Sequence, residues 1–185
     1  MNSMDRDIAR VLLSEEQLQK RVQELGAQLA HDYETLNPTM ICILKGAAIF
    51  YTDLLRAMPV PCSMDFMAVS SYGNRTKSSG EVEIRKDLST SIEGKHVVIV
   101  EDIVDSGFTL SYLSRMLKAR GAKSLKLCTL LDKPSRRAPG ITLKADYHGF
   151  EVGNEFVVGY GLDYAEKYRN LPYIGILKPE IYENE

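Results

Sequence analysis

Leu18, Val22, Leu25 and Leu29 recur at three- and four-residue steps, the spacing of an amphipathic helix. Ser14-Glu15-Glu16-Gln17 ahead of them fits a capping box, so the pattern predicts a helix to about Tyr33, ended by Asn37-Pro38. The unbroken apolar run Met40 to Leu44 predicts a buried strand. Lys45-Gly46-Ala47-Ala48 then turns into a second helix carrying Phe50, Leu54 and Leu55, which stops near Met58-Pro59. Ser63 to Tyr72 and Glu81 to Lys86 read as two more strands. The Gly-, Ser- and Lys-rich segment between them is expected to be a mobile loop, about residues 71–80. His96 to Val100 is a β-branched run leading into a helical pattern over Leu110 to Ala119, with Gly121 as its stop. Ser124 to Leu131 is a further strand, followed by the basic loop Asp132 to Arg137. Alternating strands and helices argue an α/β fold with a mainly parallel sheet and helices on both faces. After Gly140 only short pieces remain, Ala145 to Val152, Phe156 to Gly159 and Tyr173 to Leu177. They are expected to form a small hood over the strand ends, the N-terminal segment contributing.

A chain of 185 residues builds one sizeable core, here read as a single domain over 1–185. Its formal net charge of −2 speaks against general attraction to nucleic acid or acidic membranes, so a small-molecule partner is the expectation. Cys42, Cys62 and Cys128 are odd in number and widely separated, which suggests neither disulfides nor a zinc knuckle. Met1 to Asp7 lacks the basic and apolar stretches of a signal peptide, and no apolar run approaches membrane-spanning length. A cytoplasmic protein is expected.

The informative stretch is Val100-Glu101-Asp102-Ile103-Val104-Asp105-Ser106-Gly107-Phe108-Thr109. A strand that ends in two carboxylates and turns through Asp-Ser-Gly into a helix makes an anion site from backbone N–H groups and a helix N-terminus. Two acids beside bound phosphate imply a hydroxyl-rich sugar or a divalent cation between them. Asp105 is either a cap for the following helix or a proton acceptor beside the ligand; the spacing suits both. Phosphate-loop, dinucleotide-fingerprint, nucleophile-elbow and His-Glu-x-x-His patterns are all missing from the sequence, which weakens triphosphatase, dehydrogenase and hydrolase readings. His31, His96 and His148 are scattered.

Val97 to Leu110 resembles the phosphoribosyl-pyrophosphate motif of type I phosphoribosyltransferases. Leu44-Lys45-Gly46-Ala47, Ser71-Tyr72, Leu131-Asp132-Lys133-Pro134, and Phe156 to Tyr164 with Arg169 are similar to the hypoxanthine-guanine branch of that family. The resemblance covers roughly residues 10–180. It implies Mg²⁺-dependent transfer of phosphoribosyl from phosphoribosyl pyrophosphate to N9 of a 6-oxopurine base, giving a nucleoside monophosphate and pyrophosphate, in a homodimer or homotetramer. Glu101 and Asp102 would bind the ribose hydroxyls directly or through the metal, with Asp163 helping to hold a second Mg²⁺. Ile103 and Val104 lead into the loop Asp105, Ser106, Gly107, Phe108 and Thr109, which would cradle the 5′-phosphate. Asp105 would be the catalytic base. Lys45, Gly46 and Arg169 would meet pyrophosphate, with a cis peptide at Leu44-Lys45, and Ser71 and Tyr72 would belong to the closing loop. Lys133 would contact the purine's exocyclic oxygen, Phe156 would stack on the ring, and the Val157 backbone would read its edge. Ala47 departs from a frequent glycine of the family and Phe108 from a frequent lysine. A xanthine-preferring relative, an RNA-binding regulator on the same fold and a non-catalytic nucleotide-binding module are the alternatives.

Overall fold

The computed structural model describes residues 3–71 and 82–183, Ser71 by its backbone alone. The expected mobile loop and Tyr72 therefore lie outside the described residues. The main sheet has six strands in the order β4-β3-β2-β5-β6-β7: β2 (Thr39–Leu44), β3 (Ser63–Ser71), β4 (Val82–Lys86), β5 (His96–Val104), β6 (Ser124–Asp132) and β7 (Tyr147–Glu151). All neighbours run parallel except β4, which returns antiparallel along β3. The smaller antiparallel sheet, β1-β9-β8, joins β1 (Ile8–Leu13), β9 (Ile174–Leu177) and β8 (Val157–Val158).

Alternation along the strands builds a core on each face. Met40 and Cys42 of β2 with Val98 and Val100 of β5 pack against α1 (Glu15–Asp32) and α2 (Ala48–Arg56). Ile41, Ile43, Val97 and Ile99 pack on the other side against Leu110, Leu113 and Leu117 of α3 (Phe108–Ala119). The capping box is present in full: the Gln17 N–H donates to the Ser14 hydroxyl, and the Ser14 N–H donates to the Gln17 side chain. The helix stop at Arg120-Gly121 also falls where glycine placed it.

One expectation is corrected. Tyr147–Glu151 is not part of the hood; it is the edge strand of the main sheet, pairing parallel with β6 from Cys128↔Tyr147 to Asp132↔Glu151. β1, from the N-terminal segment, pairs antiparallel with β9 in the hood, with three of its six residues exposed. Tyrosine hydroxyls tie the hood together and to the body. Tyr168 donates to Asp7 at 2.8 Å, Tyr173 to Asp5 at 2.6 Å, and Tyr160 to Asp53 of α2 at 2.6 Å. Among the described residues no helix is long and apolar enough to cross a membrane.

α1 meets α2 through Gly26, where an added Cβ would lie 2.5 Å from the Ala57 Cβ and 2.6 Å from its carbonyl oxygen. Alanine normally outperforms glycine inside a helix by about 1 kcal/mol. Here the sign should reverse: Gly26→Ala is expected to lower unfolding stability by about 1–3 kcal/mol through overpacking. Urea denaturation reads the change, and a more stable variant would refute this close packing.

Candidate active site

The carboxyl ends of the parallel strands β2, β5 and β6 face the hood, and their loops supply the site. The acidic pair is not at a strand end, as the sequence pattern implied. β5 continues through Val104, with Glu101 paired to Thr129, Ile103 to Leu131 and Val104 to Asp132 of β6. Both acids still line one cavity, although β5 keeps a regular register through them. The Asp102 N–H donates to Glu101 Oε1 at 3.0 Å and the Ile103 N–H donates to Asp102 Oδ1 at 2.7 Å. Burial first, then the charge of its neighbour, pushes the Glu101 carboxyl well above its ordinary range. Asp102 is also raised, chiefly by burial.

Beyond Val104 the chain turns through Asp105, Ser106 and Gly107 into α3. Gly107 is the N-cap residue, left-handed at φ 82°, with no side-chain cap. That conformation suits glycine, and it removes the capping role for Asp105. The Asp105 carboxylate instead accepts from Arg136 Nε at 3.0 Å. Glu101, Asp102, Asp105, Ser106, Gly107 and Thr109 line a cavity of about 180 Å³ over the N-terminus of α3. Ile103 also lines it, whereas Val104 is buried. Phe108 is 44% exposed and is not part of the lining.

A second cavity of about 400 Å³ shares Ile103 and Asp105 with the first and is bounded by Lys133, Phe156, Val157 and Asp163. Lys133, only 7% exposed, donates to the Glu155 carbonyl at 2.8 Å. Desolvation lowers its ammonium pKa, partly offset by Asp105. Phe156 stacks on Tyr182 at 4.8 Å between centroids and meets Tyr164 edge-on at 5.6 Å.

Lys45 and Gly46 follow β2, and the Leu44-Lys45 peptide is cis, as the resemblance implied. Gly46 lies so close to Asp102 that an added Cβ would overlap the carboxylate, and a Cβ on Gly161 would overlap the Gly46 carbonyl. This close approach brings the hood loop onto the sheet ends. Arg169 donates to the Gly161 carbonyl at 2.8 Å and pairs with Asp163 at 2.8 Å. Lys45 pairs with Glu166 at 3.1 Å. Thus Glu101, Asp102, Ile103, Asp105, Ser106, Gly107, Thr109, Lys133, Phe156, Val157 and Asp163 line two joined cavities, with Lys45, Gly46 and Arg169 alongside. Ser71 is at the end of β3.

Sequence reasoning assigned no role to Arg136, Arg137, Gly161, Glu166 or Tyr182. Arg137 is the anchor of the loops: its guanidinium donates to the carbonyls of Val104 at 2.9 Å and Asp105 at 2.6 Å and pairs with Asp132. The basic character of the 132–137 loop was its only signal.

The profile of the phosphoribosyl transferase domain matches residues 11–165. The chain is 62% identical over 180 residues to the bifunctional protein TilS/HprT of Listeria innocua, covering 97% of this chain and 28% of that protein. To the hypoxanthine-guanine phosphoribosyltransferase of Bacillus subtilis it is 59% identical over 181 residues, covering 98% of this chain and 99% of the other. The crystal structure of a hypoxanthine phosphoribosyltransferase from Staphylococcus aureus superposes with a TM-score of 0.94 at 52% identity, covering 98% of each chain. The chain therefore spans little more than a quarter of the Listeria protein and nearly all of the Bacillus one.

The acidic pair has a measurable consequence in the ligand-free protein. The folded state holds the Glu101 proton to higher pH than an unfolded chain, whose carboxyl titrates near 4.5. Its contribution to stability is complete below that value and is lost as pH rises toward the raised folded pKa. Glu101→Gln is expected to flatten the fall in unfolding free energy from pH 4.5 upward, read by urea titrations across pH. An unchanged slope would remove Glu101 as its source.

Proposed function

The chain belongs to the phosphoribosyl transferase domain family, and on that footing we propose that it transfers the phosphoribosyl group of phosphoribosyl pyrophosphate to N9 of hypoxanthine or guanine in purine salvage. The products are the purine nucleoside monophosphate and pyrophosphate. The observation that carries this reading is the joining of two cavities at Asp105: one made of carboxylates and a helix N-terminus, the other of Lys133, Phe156 and Val157.

In the first cavity the free N–H groups of α3 and the hydroxyls of Ser106 and Thr109 suit the 5′-phosphate, and Glu101 with Asp102 suits the ribose hydroxyls. In the second, Phe156 offers a ring face to the base. The Lys133 ammonium has donors to spare beyond the Glu155 carbonyl, enough to take a 6-oxo group, while the Val157 backbone meets the base's edge. As the C1′–O bond to diphosphate breaks, N9 bonds to C1′ and the N7 proton passes to Asp105, which gives up Arg136 to receive it. Lys45 and Arg169 stabilise the charge gathering on the departing diphosphate.

Mg²⁺ fits the donor chemistry of Glu101 and Asp102, two hard carboxylates buried side by side whose charges are unfavourable without a cation. When bound, it would neutralise diphosphate charge. Asp163 would help hold a second Mg²⁺ on releasing Arg169. The three cysteines are free, which suits a reducing cytoplasm. Assembly as a homodimer or homotetramer completes the reading.

Purified protein with Mg²⁺ and phosphoribosyl pyrophosphate is expected to release pyrophosphate with hypoxanthine or guanine. Release with adenine alone, or with none of hypoxanthine, guanine, xanthine and adenine, would overturn the proposal. Asp105→Asn should lower turnover by about two or more orders of magnitude with nucleotide binding retained; unchanged turnover would sink its role as base. Lys133→Ala should raise KM for 6-oxopurines and leave pyrophosphate affinity in place. Equal loss toward both would count against base recognition.

A further inference from the structure

Lys45 and Arg169, the two cations assigned to pyrophosphate, converge on one carboxylate. Lys45 Nζ lies 3.2 and 3.1 Å from the two Glu166 carboxylate oxygens, and Arg169 reaches Glu166 Oε1 at 3.6 Å. Arg169 also pairs with Asp163 at 2.8 Å, and the Glu166 N–H donates to Asp163 Oδ2 at 2.9 Å. Cations from two distant segments, one after β2 and one in the hood, are thus drawn together around Glu166.

The backbone is shaped to place it there. Ala165, Glu166 and Tyr168 have φ of 49°, 60° and 75°, a region that L-residues adopt at a cost of about 1 kcal/mol or more each. The turn is closed by the Lys167 N–H on the Tyr164 carbonyl at 2.9 Å and the Gly161 N–H on the Arg169 carbonyl at 2.9 Å. Glu166 also adds a negative charge beside Asp163, where a diphosphate would bring several more. A carboxylate there opposes diphosphate binding unless it serves as its substitute while the site is empty.

We propose that Glu166 is an internal stand-in for the diphosphate: it holds Lys45 and Arg169 in the ligand-free site, is displaced by the ligand, and thereby sets its affinity. This rests on the functional reading above and goes beyond it by naming a residue that limits affinity. The exchange is feasible because the pair is exposed, with side chains 68% and 65% accessible for Lys45 and Glu166. Exposed ion pairs are worth little, and a diphosphate offers more charge and more acceptor oxygens than one carboxylate.

The test is titration of inorganic pyrophosphate, in Mg²⁺ buffer, into wild type and Glu166→Gln. The Gln variant keeps size and hydrogen bonding but removes the charge. It should bind pyrophosphate about twofold to tenfold more tightly, the range two exposed ion pairs support. KM for phosphoribosyl pyrophosphate should fall alongside, KM for hypoxanthine should stay constant, and the difference should shrink as salt is raised. Glu166→Ala should behave the same way. A prop that merely positions the two cations would give the opposite sign, so weaker or unchanged pyrophosphate binding in both variants, beside an active wild type, overturns the role of Glu166 alone. Wild type that binds pyrophosphate more weakly than the variant but transfers nothing to any purine sinks the functional reading while supporting the stand-in. No pyrophosphate binding by wild type overturns both.

Discussion

A carboxylate, a glycine and a second glycine lie in contact where the sheet meets the hood, and the rest of the site is arranged around that meeting. Asp102 of β5 touches Gly46 after β2, and the carbonyl of Gly46 lies against Gly161 of the hood loop. No side chain fits at either glycine, so the distance between the two halves of the molecule is set by backbone packing. Gly161 then exchanges hydrogen bonds with Arg169, which fixes that guanidinium near Lys45. The Tyr160 bond to Asp53 secures the same loop to α2. A wider separation would part the two cavities that now share Asp105 and Ile103.

Charge within the site is divided into two kinds. Asp105 with Arg136, Lys45 with Glu166 and Arg169 with Asp163 are opposite pairs whose members are at least a quarter exposed. Such exposed pairs are worth little and are readily exchanged for a ligand. Glu101 and Asp102 are different: they are like charges, buried, and raised by that burial. Burying an unpaired ion costs on the order of several kcal/mol, so the strongest demand for a partner is at the pair. In the proposed reading, the weak pairs would hold the substrate-binding groups in place and the buried pair would favour entry of a cation or sugar hydroxyls. Arg137, bound to the carbonyls of Val104 and Asp105 and to Asp132, holds the loop rigid between these two regions.

Much of this architecture was legible in local chemistry. The capping box at Ser14, the proline after Asn37, the apolar run Met40 to Leu44 and the glycine after Arg120 act within a few residues of themselves, so their patterns translated directly into α1, β2 and the end of α3. The run from Glu101 to Thr109 likewise announced the lining of one cavity, because its acids, turn and helix start are contiguous in the chain. Edge elements were harder. β1 is apolar at five of six positions yet half exposed, and β7 is a short edge strand, so neither has the alternation that would say which sheet it joins; that depends on partners far along the chain.

What the sequence determined by itself was the set of strands and helices in the body, the acidic pair and its turn, and, through resemblance, the residues expected to meet a sugar diphosphate and a purine. Tertiary structure alone decided that Asp105 is held by Arg136 rather than capping α3, that Gly46 and Gly161 set the separation of hood and sheet, and that Glu166 meets Lys45. The reason is one of range. Capping, turn chemistry and hydrophobic period act over a few residues, whereas these contacts join segments 31 to 121 residues apart, and no local pattern records which side chain will be found across such a distance.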